Sequence, residues 1–331
     1  MSKVYKQPVF VTPYFDYRIW GGRRLESDFG FKIPDGPIGE CWAVSGYPAH
    51  ESRTENGPCT GQTLSAFWKA EPDFFGAAEL PDDVREGDYP FITKIIDAKG
   101  DLSIQVHPDD AYAAAHENGA KGKTECWYIL DCPADGQLIL GHNAKTREEF
   151  VRMIEAGEWD KLLRRVPIKK GDFIQLEPGT IHAITAGVML LETQQASDVT
   201  YRVYDYGRLE NGKPRQLHIQ QSIDVSTIPA PDMNGMVLHT GNDTANEVRE
   251  LVSCRFYRVE KLTVDGSCTF AQAAPFWIAT VAEGEGRLVC GEQTYELKKG
   301  QSFLLPHDYG QVRLEGEMTL IFAAPQSAQG K

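Results

Sequence analysis

The sequence predicts a mainly β protein, a sandwich or barrel assembled from many short strands. Gly and Pro separate short runs of residues along the whole chain, and helical patterns are sparse. Five runs before residue 240 alternate apolar and polar side chains with the period of a strand: 102–107, 125–130, 173–177, 188–194 and 200–204. After about residue 240 the pattern is almost purely strand-like, over 255–264, 276–282, 286–289, 294–297, 302–305 and 318–323.

Helices are predicted in three segments. The first follows Thr63, whose side chain suits a helix N-terminus. The second lies within 108–119 and carries acidic residues in its first turn, where carboxylates complement the helix dipole. The third starts at Thr146, and Glu149 three residues later gives the spacing of a capping box.

A faint internal repeat indicates two related β modules. Residues 168–178 and 297–306 both read as a strand, a Lys-Lys-Gly turn, a second strand and a proline. We therefore expect a first domain over residues 1–240 with short helical segments. A smaller β-barrel domain over 247–331 should follow it, and it lacks the metal motif described below.

Charge and composition exclude several functions. The chain has 331 residues with 34 Lys and Arg against 47 Asp and Glu, a net charge of −13, and no basic run that could follow a nucleic acid backbone. It lacks an apolar stretch of the roughly 18 residues that a membrane-spanning helix needs, and its first residues do not resemble a signal peptide. Seven scattered cysteines without a Cys-x-x-Cys pair indicate reduced thiols and a cytoplasmic location.

Four residues have the chemistry of a divalent metal site. Gln105 and His107 lie on one face of a predicted strand, about 6.6 Å apart along the backbone. Glu125 begins another strand, and a Pro-Gly corner precedes His182. Two imidazoles, one carboxylate and one amide suit a catalytic zinc, although Fe(II) and Mn(II) use the same ligands.

These residues resemble a known family. The pattern Gln105-x-His107, Glu125 and Pro178-Gly179-x-x-His182 is similar to the divided metal motif of the cupin fold. The surrounding segments resemble the compact bacterial branch of the type I mannose-6-phosphate isomerases. They are 19–22, 39–42, 94–98, 102–109, 122–125 and 191–202.

The resemblance implies a cupin-type double-stranded β-helix, or jelly-roll, for the catalytic domain. It implies one zinc ion (Zn2+) per chain held by Gln105, His107, Glu125 and His182. It also implies a zinc-dependent aldose–ketose isomerase that interconverts mannose 6-phosphate and fructose 6-phosphate through an enediolate. The partners expected are a sugar phosphate, with no nucleic acid and no membrane, and the chain should be a monomer or weak homodimer.

Six further residues receive roles from the resemblance. Arg202, Glu192 and Lys123 are the predicted catalytic residues, and Arg208, Trp20 and Lys94 are the predicted substrate-binding residues. Glu192 and Arg202 each lie on an alternating strand that can direct them into the site. A positioned carboxylate or amine can move the proton between C2 and C1, and a guanidinium can stabilise the developing oxyanion.

Structural alternatives exist for some of these residues. Glu192 could instead form a buried salt bridge with Arg202 or Lys123, Lys123 could face solvent on a Gly-rich loop, and Trp20 could belong to the core. Two other functions share the metal motif, namely an Fe(II) cupin dioxygenase and a non-catalytic sugar-binding cupin. A dioxygenase does not predict the basic residues, and a binding protein needs neither Glu192 nor a complete metal set.

Overall fold

A computed structural model describes residues 5–232, 236–241 and 243–328, and its secondary structure confirms the mainly β prediction. The helices are short. They are α1 (Arg24–Ser27), α2 (Leu64–Ala70), α3 (Asp82–Arg85), α4 (Asp110–His116), α5 (Arg147–Glu155), α6 (Trp159–Leu162) and α7 (Ile219–Val225), and Ala77–Glu79 form a 3₁₀ turn.

The strands are, in chain order, β1 (Val9–Thr12), β2 (Tyr14–Gly22), β3 (Ile38–Val44), β4 (Arg53–Thr54), β5 (Phe91–Asp97), β6 (Ile104–Val106), β7 (Glu125–Asp131), β8 (Gln137–His142), β9 (Leu163–Pro167), β10 (Asp172–Leu176), β11 (His182–Ile184), β12 (Met189–Gln195), β13 (Tyr201–Tyr204), β14 (Leu209–Glu210), β15 (Lys213–Pro214), β16 (Val237–His239), β17 (Val248–Ser253), β18 (Arg258–Ala271), β19 (Trp277–Cys290), β20 (Gln293–Lys298), β21 (Ser302–Leu305) and β22 (Gln311–Ala324).

Antiparallel pairing organises these strands into three large sheets. A seven-stranded sheet has the order β16-β10-β7-β12-β5-β3-β2, and a five-stranded sheet has the order β13-β6-β11-β8-β9. The third sheet has the order β17-β18-β22-β19-β21-β1-β4, with β20 paired to β19. The strands β14 and β15 form a small separate hairpin.

The first two sheets face each other across a shared core, as in a jelly-roll. Ile96 and Trp127 from the seven-stranded sheet pack in one apolar cluster with Leu140 and Ile184 from the five-stranded sheet. Ile95, the neighbour of Ile96 on β5, packs in a different cluster. Because successive strand residues point to opposite faces, this shows that the seven-stranded sheet is covered on both sides.

All three predicted helices form. The side chains of Thr63, Asp109 and Thr146 cap α2, α4 and α5 by accepting hydrogen bonds from backbone N–H groups inside the first turn. The Glu149 carboxylate accepts from the backbone N–H of Lys145 rather than from that of Thr146, so the capping box is only partly formed. The helix predicted from Thr146 pauses at Gly157 and resumes as α6, as the pattern of Trp159 and Leu162 indicates. The helices α1 and α7 were not predicted from the sequence, because no side chain caps their first turns.

The C-terminal strands are longer than the sequence predicted. The two strands expected at 276–282 and 286–289 are parts of one 14-residue strand, β19, which begins at Trp277. The pairing register of β19 with β22 shifts between Val281 and Glu283, and Gly284 there has φ +75°. The extra residue of this bulge is Ala282, and Gly284 and Gly286, which read as a turn, pair with Met318 and Gly316 inside a continuous strand.

The division into domains 1–240 and 247–331 stays a prediction. The two Lys-Lys-Gly turns of the repeat have the same backbone form, since Gly171 and Gly300 both have φ 87°. Strand β1 pairs with β21, so the start of the first predicted domain joins the sheet of the second. The ends 1–4 and 329–331 and the stretch 233–235 lie outside the described residues.

Two further sequence predictions concern the cysteines and the membrane. All seven cysteines are free thiols. Within the described parts of the chain, every helix is too short or too polar to cross a membrane.

Candidate active site

His107, Glu125 and His182 form a buried cluster at the edge of the jelly-roll core. Their ligand atoms lie within 4.8 Å of one another. His107 Nε2 lies 3.5 Å from Glu125 Oε2, and His182 Nε2 lies 3.4 Å from Glu125 Oε1. Gln105 joins them, with its Nε2 3.3 Å from His182 Nε2. The structure thus brings together all four predicted metal ligands.

The fold places these residues by strand pairing and two backbone contacts. His182 on β11 pairs directly with Gln105 on β6, which explains their proximity. The backbone N–H of Gly179 donates to the carbonyl of His107 at 2.9 Å, and the N–H of Lys123 donates to the carbonyl of Pro108 at 3.0 Å. His107 and Pro108, which follow β6, therefore hold both the Pro-Gly corner and the Lys123–Glu125 segment beside them.

Both imidazoles present an unprotonated nitrogen to the cluster. Nδ1 of His107 lies 2.9 Å from the carbonyl of Val199, and Nδ1 of His182 lies 2.9 Å from the carbonyl of Thr180. A carbonyl can only accept, so each Nδ1 carries the proton and each Nε2 keeps its lone pair. Burial lowers the pKa of both histidines, most strongly for His107, which also faces Lys123. These are the features of metal-ligating histidines.

Glu125 supplies a buried negative charge with spare lone pairs. Its side chain is 0% exposed, and neither oxygen accepts a hydrogen bond of normal geometry from a described residue. Burial alone would raise its pKa, but the Lys123 ammonium 2.8 Å from Oε2 and the two histidines more than offset this and keep the pKa low. An ionised carboxylate beside two unprotonated Nε2 atoms fits a divalent cation.

Lys123 and Glu192 lie next to this cluster. Lys123 Nζ is 2.8 Å from Glu125 Oε2, 3.4 Å from His107 Nε2 and 4.0 Å from Glu192 Oε1. Lys123 is buried rather than exposed to solvent. The structure therefore brings both of these predicted catalytic residues beside the predicted metal ligands.

Glu192 has an environment that disfavours its charge. Burial and the nearby Glu125 raise its pKa to about 7, although Lys123 and Lys94 oppose the shift. Its Oε2 accepts a hydrogen bond from Trp127 Nε1 at 3.0 Å, and its Oε1 lies 3.7 Å from Lys94 Nζ. The carboxylate thus changes charge near neutral pH while its position is fixed, as a proton-transfer group requires.

A cavity of about 420 Å3 opens above the cluster, and its wall includes Gln105, Lys123 and Glu192. Five cationic side chains and four carboxylates line it, so cations are concentrated here although the protein has a net charge of −13. Arg202 is one of these cations. Its Nη1 donates to the carbonyl of Gln216 at 2.8 Å, whereas its buried Nε has no partner among the described residues.

The three predicted substrate-binding residues differ in position. Trp20 lines the cavity but is only 5% exposed and packs in the jelly-roll core. Lys94 also lines the cavity, with its ammonium 3.9 Å from the ring centre of Trp42. Arg208 is not among the cavity-lining residues. It donates to Asp205 and to the carbonyl of Asp101, and it stacks on Tyr206.

Several cavity residues were missed by sequence reasoning. Glu40 and Arg18 come from β3 and β2, and Arg215 and His218 follow the small hairpin. Glu40 could have been noticed, since it is a carboxylate inside the otherwise apolar strand β3. Nothing in the local sequence indicates that Arg215 reaches the site, because the hairpin is positioned by tertiary contacts.

Two protein-family models match this chain, one in its N-terminal part and one in its C-terminal part. Residues 9–128 match the family described as phosphomannose isomerase type I, catalytic domain. Residues 247–325 match the family described as mannose-6-phosphate isomerase, cupin domain.

Curated relatives match over nearly their whole length. The mannose-6-phosphate isomerase ManA of Bacillus subtilis is 47% identical over 312 residues, which cover 94% of this chain and 96% of the relative. The mannose-6-phosphate isomerase of Streptococcus mutans is 42% identical over 318 residues, covering 95% and 97%.

Solved structures agree with this fold. The crystal structure of the mannose 6-phosphate isomerase from Bacillus subtilis superimposes with a TM-score of 0.87 at 41% identity, covering 96% of this chain and 99% of that one. A mannose 6-phosphate isomerase solved with zinc and yttrium has a TM-score of 0.76 at 17% identity, covering 96% and 99%. At that identity the second likeness concerns the fold alone.

Proposed function

The chain belongs to the type I mannose-6-phosphate isomerase family, and we propose that it interconverts mannose 6-phosphate and fructose 6-phosphate with a zinc ion bound at the cluster. The single observation that carries the proposal is the position of Lys123, whose Nζ lies 2.8 Å from Glu125 and 4.0 Å from Glu192 at the floor of a cavity rich in cations. This arrangement joins a metal-binding group to a proton-transfer group.

Gln105, His107, Glu125 and His182 would hold the metal. The two unprotonated Nε2 atoms, the ionised Glu125 carboxylate and the adjacent amide support this assignment. Bound zinc supplies Lewis acidity that polarises a sugar oxygen. Iron and manganese are alternative occupants, and metal analysis distinguishes them.

Glu192 would move the proton between C2 and C1. An aldose becomes a ketose when a base removes the C2 proton, giving an enediolate with its charge on O1. A proton then passes from the O2 hydroxyl to O1, and the base returns the first proton to C1, which leaves the carbonyl at C2. The pKa of Glu192, raised to about 7, lets this carboxylate accept and release a proton at neutral pH. Its hydrogen bond from Trp127 holds one oxygen in place and leaves Oε1 on the side of the two lysines.

Arg202 and Lys123 would stabilise the negative charge that develops on the enediolate oxygens. Both line the cavity as cations, and the Arg202 guanidinium is held there by the hydrogen bond from its Nη1 to the carbonyl of Gln216. Preorganised donors aimed at developing charge lower the barrier because they need not reorganise during the reaction. The excess of cations also suits the phosphate of the substrate.

The test is a coupled assay for fructose 6-phosphate formed from mannose 6-phosphate, before and after chelation. The proposal expects turnover that chelation abolishes and zinc restores, together with about one equivalent of metal per chain. His182→Ala should lose both the metal and the activity, since one of the Nε2 donors disappears. Oxygen consumption with iron bound would favour a dioxygenase, and sugar binding without turnover would favour a binding protein.

The free cysteines support a further proposal, that the protein works in the reducing cytoplasm. For its assembly we propose a monomer or weak homodimer, which sedimentation of the purified protein would test.

A further inference from the structure

We propose that Glu40 binds the hydroxyl on C3 or C4 of the sugar phosphate and so helps to select the substrate. The proposal rests on the proposed function and adds a binding residue to it. Glu40 lies on β3 and lines the same cavity as Glu192, although it takes no part in the metal cluster.

The carboxylate of Glu40 is fixed through one oxygen only. Oε2 accepts hydrogen bonds from Arg18 Nη2 and from Trp42 Nε1, each at 2.9 Å. No described residue donates a hydrogen bond to Oε1, and Oε1 is accessible rather than fully buried. One oxygen is thus anchored, and the other remains open to the cavity as an acceptor.

The surroundings of Glu40 keep it ionised. Burial raises its pKa, but Lys94 and Arg18 more than offset that effect and bring the pKa to about 2. An ionised carboxylate accepts hydrogen bonds and never donates them, so at neutral pH the cavity offers a permanent acceptor at this point. Sugar hydroxyls are the donors that match it.

Glu40 and Glu192 are held in the same way but suited to different tasks. Trp42, Lys94, Glu192 and Trp127 are direct neighbours across β3, β5, β12 and β7. Each carboxylate accepts from one indole N–H, and Lys94 interacts with both. Because one carboxylate titrates near neutral pH and the other does not, Glu192 can exchange protons whereas Glu40 can only bind.

The informative variant is Glu40→Gln. Arg18 and Trp42 both donate, so they would hold the amide oxygen and turn the NH2 group toward the cavity. The acceptor for the hydroxyl would then become a donor. Loss of a hydrogen bond to a charged group should lower kcat/KM for mannose 6-phosphate about tenfold to a hundredfold. Most of the loss should be in KM, since the contact is made in the ground state and the transition state alike.

The experiment compares wild type and Glu40→Gln on mannose 6-phosphate and on its 3-deoxy and 4-deoxy analogues. If Glu40 binds one of these hydroxyls, the variant should have a lower kcat/KM than wild type on mannose 6-phosphate. On the analogue that lacks that hydroxyl, the variant and wild type should have the same kcat/KM. A variant within about twofold of wild type on mannose 6-phosphate would overturn the proposal. So would an equal loss on both analogues, because it would show that Glu40 contacts neither hydroxyl.

Two controls keep the outcome specific. Glu315→Gln removes the same charge from a carboxylate that also binds guanidinium groups, but it lies on β22 outside the cavity and should leave kcat/KM unchanged. Should Glu40→Gln fail to fold, Glu40→Asp gives the same test, because its shorter side chain withdraws the free oxygen while keeping the charge beside Arg18.

Equilibrium binding separates this proposal from the proposed function. Calorimetry with mannose 6-phosphate and the two deoxy analogues gives the same comparison as dissociation constants, without turnover. A wild-type protein that binds mannose 6-phosphate but does not isomerise it would refute the proposed function. The Glu40 proposal would still hold if Glu40→Gln weakened binding of mannose 6-phosphate but left the binding of one deoxy analogue unchanged. A wild-type protein that binds none of the three would overturn the Glu40 proposal as well.

Discussion

The two buried glutamates of the cavity have opposite electrostatic surroundings although each accepts a hydrogen bond from a tryptophan. The pKa of Glu192 rises to about 7 because burial and Glu125 act against its charge. That of Glu40 falls to about 2 because Lys94 and Arg18 outweigh burial. At the scale of single residues, the charges nearest each carboxylate therefore decide which of them can exchange a proton.

A prediction about pH follows for Glu192. As the base, Glu192 must be deprotonated, so kcat/KM should rise with pH through an ionisation at or below about 7. A bound cation stabilises the carboxylate and would move this ionisation to lower pH, so the value is an upper limit. Glu192→Gln should abolish both turnover and exchange of the C2 proton with solvent, with zinc still bound, as measured by NMR in deuterated water.

A near-normal rate in Glu192→Gln would contradict this role and make Lys123 the better candidate for the proton shuttle. Metal content is the necessary control, because loss of zinc would by itself abolish activity.

Arg202 gives a second prediction at this scale. If its guanidinium stabilises charge that exists only in the enediolate, Arg202→Ala should lower kcat about 10²- to 10³-fold and change KM much less. Steady-state kinetics separates this outcome from that of a simple phosphate clamp. A clamp holds the substrate and the transition state equally, so its loss would raise KM and leave kcat almost unchanged.

At the scale of elements, the glycines of β19 led to the wrong prediction of a turn between two strands. A Cβ on Gly284 would lie 2.1 Å from the carbonyl oxygen of Glu317, so only glycine fits where β19 and β22 approach. The segment looks like a turn in the sequence because it is rich in glycine, but its glycines permit a close contact between two continuous strands.

This contact can be tested by Gly284→Ala. The substitution combines a positive φ of +75° with the clash against β22, so it should lower the free energy of unfolding by more than about 2 kcal/mol. Gly266→Ala is the matched control. Gly266 has φ +74°, but nothing lies within 4 Å of its Cβ position, so only backbone strain of about 1 kcal/mol is expected. Denaturant unfolding measures both, and equal losses would show that the clash is unimportant.

At the scale of the whole molecule, the N-terminal and C-terminal regions share one apolar core. Phe276 precedes β19 but packs among aromatic rings of the first 100 residues. Its ring lies 5.1 Å from that of Phe75 and stacks at 6.0 Å on that of Phe91. Strand β1 adds a second link through its pairing with β21. The two predicted domains should therefore unfold together.

Phe276→Ala tests this coupling. Removing a fully buried phenylalanine should cost about 3–5 kcal/mol, and the whole protein should still unfold in a single transition at a lower temperature. Calorimetry gives both quantities. Phe270→Ala is the control, since Phe270 contacts only Trp277 and Phe322 of the C-terminal sheet among the aromatic rings. Two separate transitions, of which Phe276→Ala lowers only the one that belongs to the C-terminal domain, would contradict a shared core.

Much of the fold could be predicted because it depends on local chemistry. Alternating apolar side chains indicate strands wherever one face is buried, and Thr63, Asp109 and Thr146 mark helix starts because their side chains accept from the first turn. The spacing of Gln105 and His107 puts both on one face of a strand, and the resemblance to the family joined Glu125 and His182 to them as one metal site. The helix α7 escaped although it is as long as α2 and α4, since no side chain caps its first turn and so nothing in the sequence marks its start.

The sequence by itself therefore determined the fold class, the helix starts and the types of residue that could bind a metal. All of these follow from side-chain chemistry and spacing along one segment. Only the tertiary structure decided which charges meet, because strand pairing joins residues far apart in the chain. That pairing placed Lys94 between Trp42 and Glu192, and it placed Glu40 in the wall of the cavity. The pKa of each buried carboxylate depends on these neighbours, and no local pattern contains them.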